Sequence, residues 1–248
     1  MDKILIIGTG GTIACKKDKS IHLDSPFKIM EYCKFDNVEF ECISPFFVLS
    51  ENMDLDLWGK LIDCLNAVDF SKYKGVIILH GSDTLYFTAS LVGNAFSDKP
   101  IVLVASDKPL EDKTANGFEN FNKAVEEILK GIDTVYVSYD DFVKAEENPI
   151  LQKAAFTPKN ILVINPYVGI EYNNYNLSGV DAVLHGMYHS ATAPENVLEF
   201  VEKCKEKSIS FYFVTENSSA DYESADGFEN IIFNSTLQSE YAKLLLTK

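Results

Sequence analysis

The sequence predicts an α/β protein with a larger N-terminal domain on a parallel sheet and a smaller C-terminal α/β domain. Three observations carry this. Apolar runs of strand length alternate with segments of helical periodicity, the pattern of a parallel sheet with crossover helices. Two of these runs, Lys3-Ile4-Leu5-Ile6-Ile7-Gly8 and Val76-Ile77-Ile78-Leu79-His80, end in turns rich in glycine and hydroxyl residues. Open parallel sheets place their ligands at such strand ends. Residues 139–159 form a polar stretch with a weak helical pattern and two prolines, Pro149 and Pro158, which reads as a connection between domains. The domains are expected at 1–144 and 160–248, with 145–159 as linker.

In chain order, strands are expected at 3–8, 38–43, 76–80, 101–105 and 134–138, and helices at 54–67, 84–96 and 117–130. The first helix opens at Asn52 and Asp54 and carries Leu55, Trp58, Leu61, Ile62 and Leu65 on one face, most simply as core packing. The second domain is expected to hold strands near 161–165, 181–185 and 209–214 and helices near 195–206 and 236–246.

Composition narrows the function. A hydrophobic content of 46% over 248 residues supports a sizeable core. The formal charge of −15 disfavours nucleic acid and anionic membrane, since both select basic patches. The five cysteines are odd in number and form no C-x-x-C, which reads as reduced cytoplasmic thiols. The N-terminus runs straight into a strand, and no apolar stretch is long enough for a signal peptide or membrane span. A cytoplasmic protein is therefore expected. The histidines at 22, 80, 185 and 189 are not spaced as metal ligands, and no metal or cofactor is expected. His80, at a strand end, reads as a hydrogen-bonded structural residue. The dinucleotide fingerprint fails: Gly8 and Gly10 fit its first two places, but the third falls on Ile13.

Taken singly, the polar residues of these turns have ordinary readings. Ser82-Asp83-Thr84 before a helix is an N-cap pattern. Thr12 is a turn residue, Ser50 a cap, and Glu51 a first-turn charge facing the helix dipole. Glycines in such turns also bring backbone N–H groups close to a reacting oxygen.

Taken together, the segments resemble the bacterial-type asparaginase family of amidohydrolases. Gly10-Gly11-Thr12-Ile13-Ala14 stands where that family has T-G-G-T-I, and His80-Gly81-Ser82-Asp83-Thr84 where it has H-G-T-D-T. Leu49-Ser50-Glu51-Asn52-Met53 is similar to its S-x-N-M segment. Residues 101–109 and 116–120 resemble its G-A-x-R-P and D-G-x-x-N run, and Asn165-Pro166-Tyr167-Val168-Gly169-Ile170 the strand that opens its second domain.

The resemblance implies roles. Thr12 would be the nucleophile, with Ser82, Asp83 and a lysine as its relay. Lys144 resembles the family's lysine segment, and Lys153 competes for the place. Gly11, Ser50, Glu51, Gly81 and Asp83 would bind substrate, Ser50 at the α-carboxylate and Glu51 and Asp83 at the ammonium. The implied reaction is hydrolysis of L-asparagine, or of L-glutamine, to the acid and ammonia in a homodimer or homotetramer. The only partner implied is the small amino-acid amide.

Three departures are visible. Serine replaces threonine at Ser82, and Thr192 stands for the asparagine of a Y-G-S-G-N-x-P loop matched by Tyr188-His189-Ser190-Ala191-Thr192-Ala193-Pro194. The family's N-terminal lid tyrosine is missing from residues 15–26, and the nearest is Tyr32. Competing readings are a subunit of a tRNA-dependent amidotransferase, for which a preceding domain is expected, a binding protein without turnover, and a Rossmann nucleotide-binding protein.

Overall fold

Parallel strands covered on both faces read as unbroken apolar runs rather than alternating ones, and Ile4 to Ile7 and Val76 to Leu79 are buried throughout. The computed structural model describes residues 1–145 and 155–247, which divide into two units, Met1–Phe156 and Thr157–Thr247.

The first unit is built on a six-stranded sheet of order β4-β1-β5-β6-β7-β8. Its strands are β1 (Asp2–Gly8), β4 (Val38–Ile43), β5 (Gly75–Leu79), β6 (Ile101–Val104), β7 (Val135–Tyr139) and β8 (Asp141–Lys144), and β2 (Cys15–Lys17) and β3 (Ile21–Leu23) form a separate hairpin. Central β1 pairs with β4 on one side and β5 on the other, Ile4 lying opposite Phe40 and Gly75. The unit ends on a short strand, β9 (Ala155–Phe156).

Three helices cross over between strands. On α1 (Leu55–Asn66) the Asp54 carboxylate accepts the Leu57 N–H at 2.8 Å, and Trp58, Leu61, Ile62 and Leu65 form one buried stripe. The second, α2 (Leu85–Ala95), is buried along nearly its whole length. On α3 (Gly117–Lys130), Phe121, Ala124, Val125 and Ile128 recur at helical spacing and meet Ile4, Ile6, Ile77, Leu79, Val102 and Val104 on one face of the sheet. A Cβ on Gly75 would stand 2.7 Å from Ile128, so the glycine lets helix and sheet close up.

The structure corrects one reading of the sequence. The polar run read as a connection from 139 onward begins as sheet. Asp140 takes φ 59° in a tight turn, and β8 returns antiparallel along β7. Tyr136 and Phe142 stack across the pair at 4.7 Å. The strand was hidden because it is an edge: Val143 is exposed and only Phe142 turns inward.

The second unit has a parallel sheet of β10 (Ile161–Ile164), β11 (Ala182–Gly186), β12 (Ser210–Val214) and β13 (Ile231–Ile232), with α4 (Val197–Glu206) and α5 (Leu237–Leu245). Phe200 and Cys204 of α4 pack on Val183, Phe211 and Phe213. A cleft of ≈ 470 Å³ opens at the carboxyl ends of its strands, beside Asn165, Gly186, Thr215 and Asn217. Among the described residues, no helix is long and apolar enough to cross a membrane.

Candidate active site

Three turns of the first unit meet in backbone contact. Thr9, after β1, donates its N–H and its hydroxyl to the Leu79 carbonyl at the end of β5, at 3.0 and 2.8 Å. Val48 N–H donates to Thr9 O and Gly11 N–H to Val48 O, both at 3.0 Å. Gly10 and Gly11 hold φ of 117° and 75°, values that side chains disfavour. A Cβ on Gly11 would fall 2.1 Å from the Gly81 Cα, and one on Gly81 would fall 2.3 Å from the Ser50 Oγ. The Gly11 N–H faces Val48, so this glycine supplies close approach of the turns rather than a free donor for a reacting oxygen. The contact brings Thr12, Ser50, Ser82 and Asp83 to one place.

Polar contacts then tie the turns together. Ser50 Oγ donates to Asp83 Oδ2 at 3.1 Å, and Thr84 Oγ1 donates to Ser50 O at 3.0 Å. The N-cap reading fails, because Thr84 precedes α2 without a side-chain cap bond and holds Ser50 instead. Below them His80 is 1% exposed. Burial pushes its pKa down to about 4, so the ring is neutral at pH 7. Gly81 O can only accept, so His80 Nδ1 carries the ring's one proton and donates to it at 2.8 Å. His80 Nε2 then accepts from the Thr88 hydroxyl at 3.0 Å, and Thr88 Oγ1 accepts the Trp58 Nε1–H at 3.0 Å. This imidazole holds the Gly81 turn in place and is not a base.

Thr12 opens a 3₁₀ turn, Thr12–Ala14, and is half-buried. The exposed Glu51 carboxylate is an electrostatic neighbour of Cys15, just past that turn. Burial, with Glu51 next, pushes the Cys15 thiol up. The segment expected as a polar lid is the β2–β3 hairpin, and Ala14 O accepts the N–H groups of Asp24 and Ser25 at its base. Lys28, 3% exposed, pairs there with Asp24 at 2.8 Å and with Glu111. Burial alone would lower the Lys28 ammonium, but these two carboxylates outweigh it and raise the pKa. Tyr32, the nearest tyrosine to the lid, packs edge-on against Phe118 at 5.4 Å.

Lys144 is not brought to this cluster. It pairs opposite Tyr136 near the amino end of β7, whereas Ser82 follows the carboxyl end of β5. Three strand spacings separate β8 from β5, about 14 Å, and the offset along β7 adds about 10 Å. A lysine side chain does not span that distance. Lys153 lies outside the described residues. Sequence reasoning also missed Tyr139, which closes β7 at the carboxyl edge of the sheet, the edge at which Ser82 follows β5. The strand-end rule would have found it.

Two outcomes follow from this geometry. Gly11→Ala should cost about 2 kcal/mol or more in a urea titration, through positive φ and overlap with Gly81 backbone. The unfolded chain protonates His80 near its ordinary 6.5, and the folded chain near 4. Stability is therefore full above pH 6.5 and falls by about 3 kcal/mol as pH drops from 6.5 to 4. Ring NMR signals of His80 that titrate above pH 5 would contradict this.

Comparison with known proteins agrees with the motifs. Residues 3–145 match the family model described as asparaginase, N-terminal. A glutamyl-tRNA(Gln) amidotransferase subunit of Aeropyrum pernix is 32% identical over 130 residues, covering 46% of this chain and 30% of that one. An L-asparaginase of Thermococcus kodakarensis is 27% identical over 146 residues, covering 56% and 44%. The match thus spans less than half the length of these curated relatives. Among solved structures, L-asparaginase I of Vibrio cholerae superposes with a TM-score of 0.76 at 23% identity, covering 98% of this chain and 92% of that one. A probable cytoplasmic L-asparaginase of Campylobacter jejuni gives 0.78 at 17%, covering 99% and 94%. These two show a shared fold, and the family model, which covers more than half of the sequence, identifies the chain as a member of the asparaginase family.

Proposed function

We propose that this chain hydrolyses the side-chain amide of L-asparagine, or that of L-glutamine, to the acid and ammonia. The observation that carries this is the convergence of Thr12, Ser50, Ser82 and Asp83 through the Gly11–Gly81 contact. In the proposed reaction Thr12 Oγ bonds to the amide carbon and the C–N bond breaks. The nitrogen leaves as ammonia with the hydroxyl proton, and water then cleaves the resulting ester. Gly11 and Gly81 shape the floor of the site. Ser50, Glu51 and Asp83 hold the charged ends of the amino acid, and Ser82 takes part in proton movement at Thr12.

The relay in this reading does not pass through Lys144, given the position of β8. A cytoplasmic homodimer or homotetramer, acting on a free amide without nucleic acid or membrane, completes the proposal. The cysteine usage and the family membership support it. A second reading, amino-acid binding without turnover, is favoured by the serine at Ser82 and by the position of Tyr32 against Phe118 rather than at Thr12.

The test is ammonia release from L-asparagine and L-glutamine by purified protein. Thr12→Ala should lower kcat by about a thousandfold or more with the fold retained. Binding of L-aspartate with no ammonia from either amide would install the binding reading instead. Lys144→Met should leave kcat within about twofold of wild type. Its complete loss would mean that β8 rearranges in the working enzyme.

A further inference from the structure

Among the described residues Lys28 is the one buried lysine, 3% exposed, and the proposed reaction gives it no part. Taking an ammonium group out of water is costly, and a buried ion pair adds little net stability over apolar packing. What such a pair does supply is a fixed geometry. Here both ends are anchored. The 3₁₀ turn Lys28–Glu31 carries Ile29 into the core of the first unit, where Leu110 also lies. Glu111 follows Leu110 directly, so its carboxylate starts from a fixed backbone. Lys28 Nζ pairs with this carboxylate and with Asp24 Oδ2, the latter at 2.8 Å.

The Asp24 end leads to Thr12. Asp24 directly follows β3, the returning strand of the hairpin, and its other carboxylate oxygen meets Lys16 Nζ of β2 at 3.5 Å. One carboxylate thus joins both strands of the hairpin to Lys28. The backbone carries this position onward. The Asp24 and Ser25 N–H groups both donate to Ala14 O, at 2.9 and 3.2 Å. Ala14 ends the turn that Thr12 opens. That turn is itself closed by the Ala14 N–H on Gly11 O at 3.0 Å and by the Cys15 N–H on Thr12 O. Pro26 meanwhile lies against the end of β1, where a Cβ on Gly8 would fall 2.7 Å from Pro26 O.

The Thr12 turn therefore has two supports, the Gly81 contact before it and the hairpin base after it. The first is backbone against backbone. The second is a series of polar contacts, and its fixed point is Lys28.

We propose that Lys28 is a positioning residue for Thr12: by pairing with Asp24 and Glu111 it holds the hairpin base in one place, and the Asp24 and Ser25 N–H groups pass that position to Ala14 O and so to the turn that Thr12 opens. For its effect on turnover, this inference rests on the amidohydrolase reading.

Amide hydrogen exchange tests it on the protein alone. In Lys28→Met, the Asp24 and Ser25 amides should exchange about tenfold faster or more, measured relative to the Phe121 and Val125 amides of α3, which report the core. In Glu111→Ala the same ratio should rise about threefold. The Glu111 carboxylate is 41% exposed, so this variant keeps the fold and decides alone if Lys28→Met does not fold. An unchanged ratio, with α3 accelerated equally or not at all, would overturn the proposal. In kinetics with L-asparagine, Glu111→Ala should lower kcat about fivefold with KM changed less than about twofold. Unchanged kcat beside a raised exchange ratio would show that the hairpin base does not position Thr12, and would overturn it too. If the wild type releases no ammonia, the functional reading falls, and the exchange ratio still decides whether Lys28 holds the turn.

Discussion

Between the turns after β1 and β5 there is room for backbone alone. The Gly11 and Gly81 Cα atoms approach so closely that neither position accepts a Cβ, and Gly10 stands equally tight against Val48. The rest of the site depends on this contact. It fixes the separation of two strand ends that are already neighbours in the sheet, and it draws Val48 to Ser50 in as a third wall. Two side chains at Gly11 and Gly81 would force the turns apart by roughly the thickness of a methyl layer. The turns that carry Thr12 and Ser82 would then no longer meet.

The layer beneath the contact has to be neutral for it to hold. His80 lies immediately before Gly81 and donates to its carbonyl, so a charge on the ring would be buried beneath the tightest point of the structure. The chain avoids this with a one-way series of hydrogen bonds, from the Trp58 indole to the Thr88 hydroxyl, to His80, to Gly81 O. The Gly81 carbonyl is an acceptor only, so Nδ1 carries the ring's one proton, and that makes Nε2 the acceptor and the Thr88 hydroxyl its donor. The lone tryptophan of the chain thus has a polar task in addition to the packing that its place on the α1 stripe suggested.

Much of the first unit was legible because its strands are covered on both faces. Ile4 to Ile7, Val76 to Leu79 and Ile101 to Val104 leave no polar alternation to misread. β8 was not legible, since an edge strand carries little apolar signal, and this misled the assignment of Lys144: a residue in an apparent loop can be imagined anywhere, one in an antiparallel edge strand cannot. The motif residues were legible as types but not as partners. Nothing in the order Ser82-Asp83-Thr84 says that Thr84 leaves its helix uncapped to hold Ser50, or that Ser50, more than thirty residues earlier, holds Asp83. Contacts of this kind depend on which strand ends lie side by side, and strand order is not written in local sequence.

The Ser50–Asp83 hydrogen bond bears on why an α-amino acid would suit this site. The chain carries no arginine and a formal charge of −15, and the two carboxylates at the site belong to Glu51 and Asp83. An ammonium group is therefore attracted, while a carboxylate has to be held by neutral donors such as the Ser50 hydroxyl. That hydroxyl donates to Asp83. On the proposed reading, a bound zwitterion replaces this one bond at both ends: its ammonium takes the Asp83 oxygen, and its carboxylate takes the freed Ser50 proton. A ligand lacking either charge would leave one of the two partners desolvated without a hydrogen bond, at a cost of about 1–3 kcal/mol. Selectivity for the α-amino acid end would then come from a single internal hydrogen bond that only a molecule with both charges can exchange without loss.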